Sequence, residues 1–208
     1  MSHTLTAAAW RLNRGRGQRR RGLPALWLLT DEDRLPDPVP VLAALGRAQG
    51  GLILRYRDPA AHAGDVARIR RHARIVSVPV LLSGPLRLAR RYGLAGAHYA
   101  QARAVATPGR PRRGLWLTCA AHDGRALAHA ARIGADAAVV APIFATASHP
   151  GARTMGALRL ARLVQATKVP IIALGGIDSA SIGRLPPGLS GIAAIGALER
   201  ELSRRSGR

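Results

Sequence analysis

The sequence predicts a closed (β/α)₈ barrel, a single α/β domain, on three observations. Eight short apolar runs recur along the chain, at 25–30, 51–55, 78–82, 96–99, 114–118, 137–141, 170–174 and 191–195. Most are rich in Val, Ile or Leu and bounded by Gly, Pro or Asp, as strands buried in a parallel sheet are. Helical stretches separate them, and the even repeat of roughly 20–30 residues favours eight strand–helix units closing on themselves. A doubly wound sheet of flavodoxin or Rossmann type is the architectural alternative. Against it, the first run is followed by Thr30-Asp31-Glu32-Asp33 rather than by a glycine-rich phosphate turn.

The helices follow in order. Segment 39–49 places Val41, Leu42, Leu45 and Ala48 on one face, and 60–76 turns Val66, Ile69 and Ala73 inward. Segments 85–92, 124–133 and 155–167 repeat the pattern, and 179–184 and 197–203 complete it. Residues 1–23 are expected as a basic, solvated tail, 24–203 as the barrel, and 204–208 as a second basic tail.

Composition narrows the function classes. Hydrophobic residues make up 48% of the chain and aromatics only 3%, so the core must be built from Ala, Leu, Val and Ile. The single cysteine, Cys119, excludes an internal disulfide and suits a reducing compartment. No apolar run approaches the roughly 20 residues that cross a bilayer, and the N-terminus lacks a signal-peptide pattern, so a cytoplasmic protein without a membrane partner is expected. The formal charge of +21 invites nucleic acid as a partner. The arginines are spread along the chain, however, and the cluster Arg11, Arg14, Arg16, Arg19, Arg20 and Arg21 carries no aromatics among it to stack bases, so nucleic acid is not the expected partner. Self-association into a homo-oligomer is left open.

In such a barrel the chemistry sits at the C-terminal ends of the strands. The seventh and eighth runs end in Gly175-Gly176 and in Ile195-Gly196. Glycines there let an anion approach the main chain, and a helix N-terminus adds the positive end of its dipole. The alternative is two tight turns. His122, just past the fifth run, is the best general acid/base candidate, since imidazole titrates near neutral pH; capping of the next helix is its blander role. His98 either reacts or points into the barrel. Thr146, Ser148 and His149 lie in a long polar segment after the sixth run, suited to closing over a ligand. Arg55 and Arg57, two apart at the end of the second run, suit phosphate or carboxylate recognition, or pair with Asp31 or Asp58. His62, His72 and His129 fall on helices as surface residues, and Cys119 reads as a small buried side chain.

Several segments together resemble the thiamine phosphate synthase/TenI family: LWLLTDED (26–33), GGLILRYRD (50–58), GLAGAHYAQ (93–101), GADAAVVAPIFATASHPGARTMG (134–156), VPIIALGGID (169–178) and GIAAIGALE (191–199). The likeness spans about 24–200. It implies a thiazole phosphate seat at Gly175, Gly176, Ile195 and Gly196, and substrate contacts from Arg55, Arg57, Thr146, Ser148 and His149. The family's synthases join a pyrimidine diphosphate to a thiazole phosphate, using Mg²⁺ held by aspartates after the third and fourth strands. Those positions here are Ser83-Gly84, Arg87 and Arg103, and the family's strand-five serine is Ala120. Guanidinium groups cannot ligate Mg²⁺, though Arg87 and Arg103 could hold a diphosphate directly. TenI-type relatives need no metal and isomerise a thiazole phosphate by moving a proton, with the histidine matching His122 as acid/base. The resemblance therefore implies a metal-free, cofactor-free tautomerase acting through His122. Mg²⁺ enters only under the second reading, a synthase with an atypical site. A non-catalytic paralogue that binds phosphorylated thiazoles or pyrimidines is the third.

Overall fold

Every one of the eight apolar runs forms a strand, and each pairs in parallel with the next in sequence. β1 (Leu26–Leu29), β2 (Gly51–Leu54), β3 (Val80–Ser83), β4 (Gly96–Tyr99), β5 (Trp116–Ala121), β6 (Ala137–Val140), β7 (Ile171–Leu174) and β8 (Gly191–Ala194) close when β8 pairs with β1. The computed structural model describes residues 4–14, 22–107, 114–146, 151 and 153–206. The sheet is thus the single-domain (β/α)₈ barrel the repeat predicts.

Strand alternation divides the core in two. Trp27, Leu29, Ile53, Leu81, Ala137, Val139, Ile172 and Ala193 face inward and pack together in the barrel centre. The alternate residues, among them Leu28, Leu52, Leu54, Leu82 and Val140, face outward onto the helices. With so few aromatics, one indole fills much of the interior. Trp27 is fully buried, its Nε1 donates to the carbonyl of Pro24 at 2.8 Å, and its ring lies over Gly51. A Cβ at Gly51 would stand 2.5–2.8 Å from three atoms of that ring, so only glycine fits beneath it.

The outer layer comprises α1 (Leu5–Arg14), α2 (Val39–Arg47), α3 (Ala63–Ile75), α4 (Leu86–Arg91), α5 (Gln101–Val105), α6 (Gly124–Arg132), α7 (Gly156–Ala166) and α8 (Gly196–Ser206). A short 3-10 turn at Ile182–Arg184 stands between β7 and β8. The faces expected for α2 and α3 are the buried ones, with Ala44 added and Ala48 only partly buried. Two elements differ from expectation. β5 extends through Ala121, so Cys119 and Ala120 lie within the strand rather than past it. Within the segment expected as a solvated tail, Leu5–Arg14 form α1, with Leu5 and Ala9 buried one turn apart. The helix start is held by Glu201 of α8, whose carboxylate accepts from the backbone N–H groups of Leu5 (2.7 Å) and Thr6 (3.1 Å) and from the Thr6 hydroxyl. This satisfies donors that a first turn leaves open and places a negative charge at the positive dipole end. α8 likewise runs into the expected second tail as far as Ser206.

Replacing Gly51 by Ala is expected to overpack Trp27 and to lower stability by about 1–3 kcal/mol. The midpoint of denaturant unfolding at unchanged m-value checks this; an unshifted midpoint would mean that the indole can move aside.

Candidate functional site

The C-terminal mouth of the barrel has two electrostatically different sides. On the β1–β2 side, acids and arginines are matched. Asp31 accepts from Arg55 at 2.7 Å and from Arg34 at 2.8 Å. The hydrogen bond from Arg34, partly offset by burial and reinforced by the charges of Arg34 and Arg55, holds the Asp31 carboxyl at about 2. Arg57 bridges Glu32 (3.1 Å) and Asp33 (3.3 Å), and its backbone N–H donates to Glu32 at 2.8 Å. Of the two roles open to Arg55 and Arg57, the structure displays the ion pairs, made with the whole Asp31–Asp33 run. Asp58 instead accepts from the Ala60 backbone N–H at 2.9 Å. The Arg57 side chain is 80% exposed, so its pairs contribute little to stability.

Beneath this rim, the register that pairs Ser83 with His98 and His98 with Thr118 turns these residues inward. His98 is 6% exposed, and its Nδ1 lies 2.9 Å from the Thr118 hydroxyl. Burial, helped by the Arg55 charge, lowers its pKa to about 4, so the imidazole is neutral at physiological pH. The inward-pointing reading of His98 is therefore the observed one. Cys119 is buried and its thiol is pushed up to about 12, which leaves it unreactive.

The other side of the mouth is built on β6, β7 and β8. Gly175 (φ +98°) and Gly176 (φ +64°) adopt left-handed backbone, and side chains there would strike Pro142 and the Phe144–Ala145 main chain. The β6 exit and the β7 exit are stitched together: Ile143 donates to Leu174 O and Phe144 to Gly175 O, each at 3.0 Å. Asp178 and Ser181 fold the turn beyond, with the Ser181 hydroxyl donating to Gly176 O at 2.8 Å. The glycines thus serve close backbone approach between the β6 and β7 exits. Gly196 is the first residue of α8, after the partly buried Ile195. Thr146 lies in the same β6–α7 loop. Ser148 and His149 lie outside the described residues. Phe144 carries the Arg184 guanidinium 4.7 Å above its ring.

His122 stands between these regions. Its Nδ1 lies 2.6 Å from the carbonyl of Ala141, and its backbone N–H donates to the Gln101 side chain at 3.1 Å. A carbonyl can only accept, so Nδ1 carries the hydrogen of this contact, and in the neutral tautomer the lone pair sits on Nε2. The helix cap is not His122 but Asp123, which accepts from Ala126 N–H at 2.8 Å. His122 lines a cleft of about 470 Å³ together with Ala141, Pro142, Met155, Leu163 and three arginines, Arg153, Arg159 and Arg162. Gln101 was marked by its place at the end of the fourth run, whereas Arg159 and Arg162 carried no sequence signal: two arginines on a helix face look like ordinary surface.

Arg87 on α4 and Arg103 on α5 are both exposed, and Arg103 lies 6.0 Å from the centre of the Tyr99 ring. Among the described residues, no group of three or more His, Cys, Asp or Glu side chains converges. The positions after β3 and β4 offer a hydroxyl and guanidiniums, and the acids at the rim are engaged by arginines. This donor set does not fit Mg²⁺, which takes carboxylate oxygens. His62, expected as solvated surface, stacks on Tyr56 with ring centres 4.4 Å apart. His72 and His129 are partly buried and bond to backbone carbonyls.

The family model described as thiamine monophosphate synthase matches residues 38–198 of this chain. The chain belongs to that family. A thiamine-phosphate synthase of Chloroflexus aurantiacus is 30% identical over 156 residues, covering 72% of each chain. Among solved structures, the thiamine phosphate pyrophosphorylase from Pyrococcus furiosus superposes with a TM-score of 0.68 at 19% identity, over 87% of this chain and 94% of that one. FabK from Thermotoga maritima shares the fold as well, with a TM-score of 0.58 at 14% identity, over 91% of this chain and 60% of that one. The barrel alone therefore does not decide the chemistry. No described helix of this family member is long and apolar enough to cross a membrane.

The neutral, buried His98 yields a pH prediction. Its native pKa lies below the unfolded value of 6.5, so the unfolded chain binds more protons between those limits. Stability is then lost as pH falls from about 6.5 to about 4. Relative to His98→Asn, the wild type should lose about 3 kcal/mol across that interval. Parallel stability–pH curves for the two proteins would remove His98 as the cause.

Proposed function

We propose that this thiamine monophosphate synthase family member binds a thiazole phosphate and moves a proton on it, as a thiazole tautomerase does. The observation that carries the reading is the state of His122. Its Nδ1–H is committed to Ala141 O, which fixes the ring and leaves Nε2 free among the described residues to take a proton and return it at another substrate position. No net proton is consumed, and no redox partner or metal is required. Pro142, beside His122 in the cleft, is also the residue against which Gly175 packs. The proton carrier and the open glycine strand ends thus share one wall, and Gly175, Gly176, Ile195 and Gly196 supply the phosphate seat.

The second reading is the synthase itself, a transferase that joins the pyrimidine diphosphate to the thiazole phosphate. The 30% identical Chloroflexus aurantiacus relative, a thiamine-phosphate synthase, favours it. Under that reading the absent carboxylates must be replaced by arginines, with Arg87 and Arg103 as candidates for the diphosphate.

Two measurements separate the readings. His122→Asn should lower tautomerase turnover by roughly 10²–10⁴-fold while thiazole phosphate binding stays within a factor of a few; unchanged turnover would take His122 out of the mechanism. Purified protein mixed with both synthase substrates, with and without Mg²⁺, should form no thiamine phosphate. Formation of thiamine phosphate would establish the transferase instead. Thiazole phosphate binding without either turnover would leave a ligand-holding role.

A further inference from the structure

The cleft that contains His122 has a second set of groups that proton transfer does not use. Arg159 and Arg162 stand three apart on α7, and Arg153 comes from the loop before it, so three guanidiniums line one concavity. Among the described residues none of the three makes an ion pair or hydrogen bond. This contrasts with the β1–β2 rim, where Arg34, Arg55 and Arg57 are all matched to acids. The one acid lining the cleft, Asp123, is directed at the first turn of α6.

We infer that the cleft between α6 and α7 is a second anion site that holds a phosphorylated small molecule, separate from the glycine strand ends of β7 and β8. Charge sets the class of ligand. Three guanidiniums against one carboxylate leave an excess of about two positive charges, which a phosphate group of about −1.5 to −2 balances. Guanidiniums also match phosphate oxygens in a two-point fork, whereas a single carboxylate would leave much of this donor capacity unused. The volume of about 470 Å³ lies in the range of small-molecule sites. Met155, Leu163 and Pro142 supply an apolar wall for the rest of the ligand. Its place beside His122 means that an occupant of the cleft lies against that imidazole. The chain then carries two phosphate seats, one on each side of the Pro142 stem. The assignment does not depend on which reaction His122 performs.

The test uses the full chain and inorganic phosphate as the probe, with binding followed by calorimetry and by the His122 imidazole signals in NMR. Arg159→Ala/Arg162→Ala removes two exposed side chains from a helix and should fold normally. The control Arg90→Ala/Arg91→Ala removes the same charge from α4. Wild type and control should both bind phosphate in the cleft and show a perturbed His122 ring. The Arg159→Ala/Arg162→Ala protein should bind at least ten-fold more weakly in the cleft and lose the His122 response, while any phosphate bound at the glycine seat remains. Equal affinity and equal His122 response in both double variants would overturn the site. An equal loss in both would overturn it too, since it would mean that net charge alone attracts the ion. Failure of the glycine seat would appear separately, as a single phosphate per wild-type chain that vanishes in the Arg159→Ala/Arg162→Ala protein.

Discussion

The packing of Trp27 on Gly51 is the constraint on which this barrel depends. A parallel barrel closes only if its interior is filled, and here eight short strands carry mostly Ala, Val, Leu and Ile inward. One indole supplies the missing volume. Its neighbour on β2 must then be glycine, because the pairing of Trp27 with Gly51 brings the ring directly over that backbone. The same pairing sets the register of β1 and β2, and with it the height at which Arg55 leaves the sheet. Thr30 then fixes the exit, accepting from the Arg55 backbone N–H at 2.7 Å. A packing solution in the barrel centre thus determines where a guanidinium stands at the mouth.

Closure also brings β6, β7 and β8 into one continuous wall. Buried Asp136 starts β6 by accepting from Leu117 N–H at 2.9 Å, while its own N–H donates to Leu117 O at 2.7 Å. The strand then delivers the Ala141 carbonyl to His122 and the Pro142–Ala145 chain to the two glycines of β7. The orientation of the His122 imidazole therefore follows from main-chain geometry rather than from a carboxylate partner. In this strongly cationic chain acids are few, and those at the β1–β2 rim are already engaged by arginines.

The distribution of charge follows the same division. On the β1–β2 side the run Asp31-Glu32-Asp33 neutralises Arg34, Arg55 and Arg57, so that rim is a closed electrostatic network. On the α6–α7 side Arg153, Arg159 and Arg162 face solvent, and among the described residues none of them is paired; the one acid there, Asp123, caps α6. Sequence spacing made Arg55 and Arg57 the natural phosphate candidates, because the two-residue separation is visible and the acids across the sheet are 22–26 positions away. Arg159 and Arg162 look unremarkable on paper, since three residues apart on a helix is the spacing of any polar face. The tail assignment missed α1 for a related reason. Its arginines dominate the composition, whereas the burial of Leu5 and Ala9 depends on Glu201, nearly two hundred residues away.

Strand count, strand order and the identity of the mouth residues were set by local pattern: apolar runs of the right length, glycines at strand ends and a histidine past the fifth run. These are properties of nearest neighbours along the chain, and periodicity and turn chemistry read them without reference to the fold. What only the tertiary structure decided are the pairings. It made Arg55 the partner of Asp31, turned His98 inward to be neutral against Thr118, gave His122 the Ala141 carbonyl, and gathered Arg153, Arg159 and Arg162 around one cleft. Each of these depends on the distance and burial between residues far apart in sequence, and closure of the barrel sets both.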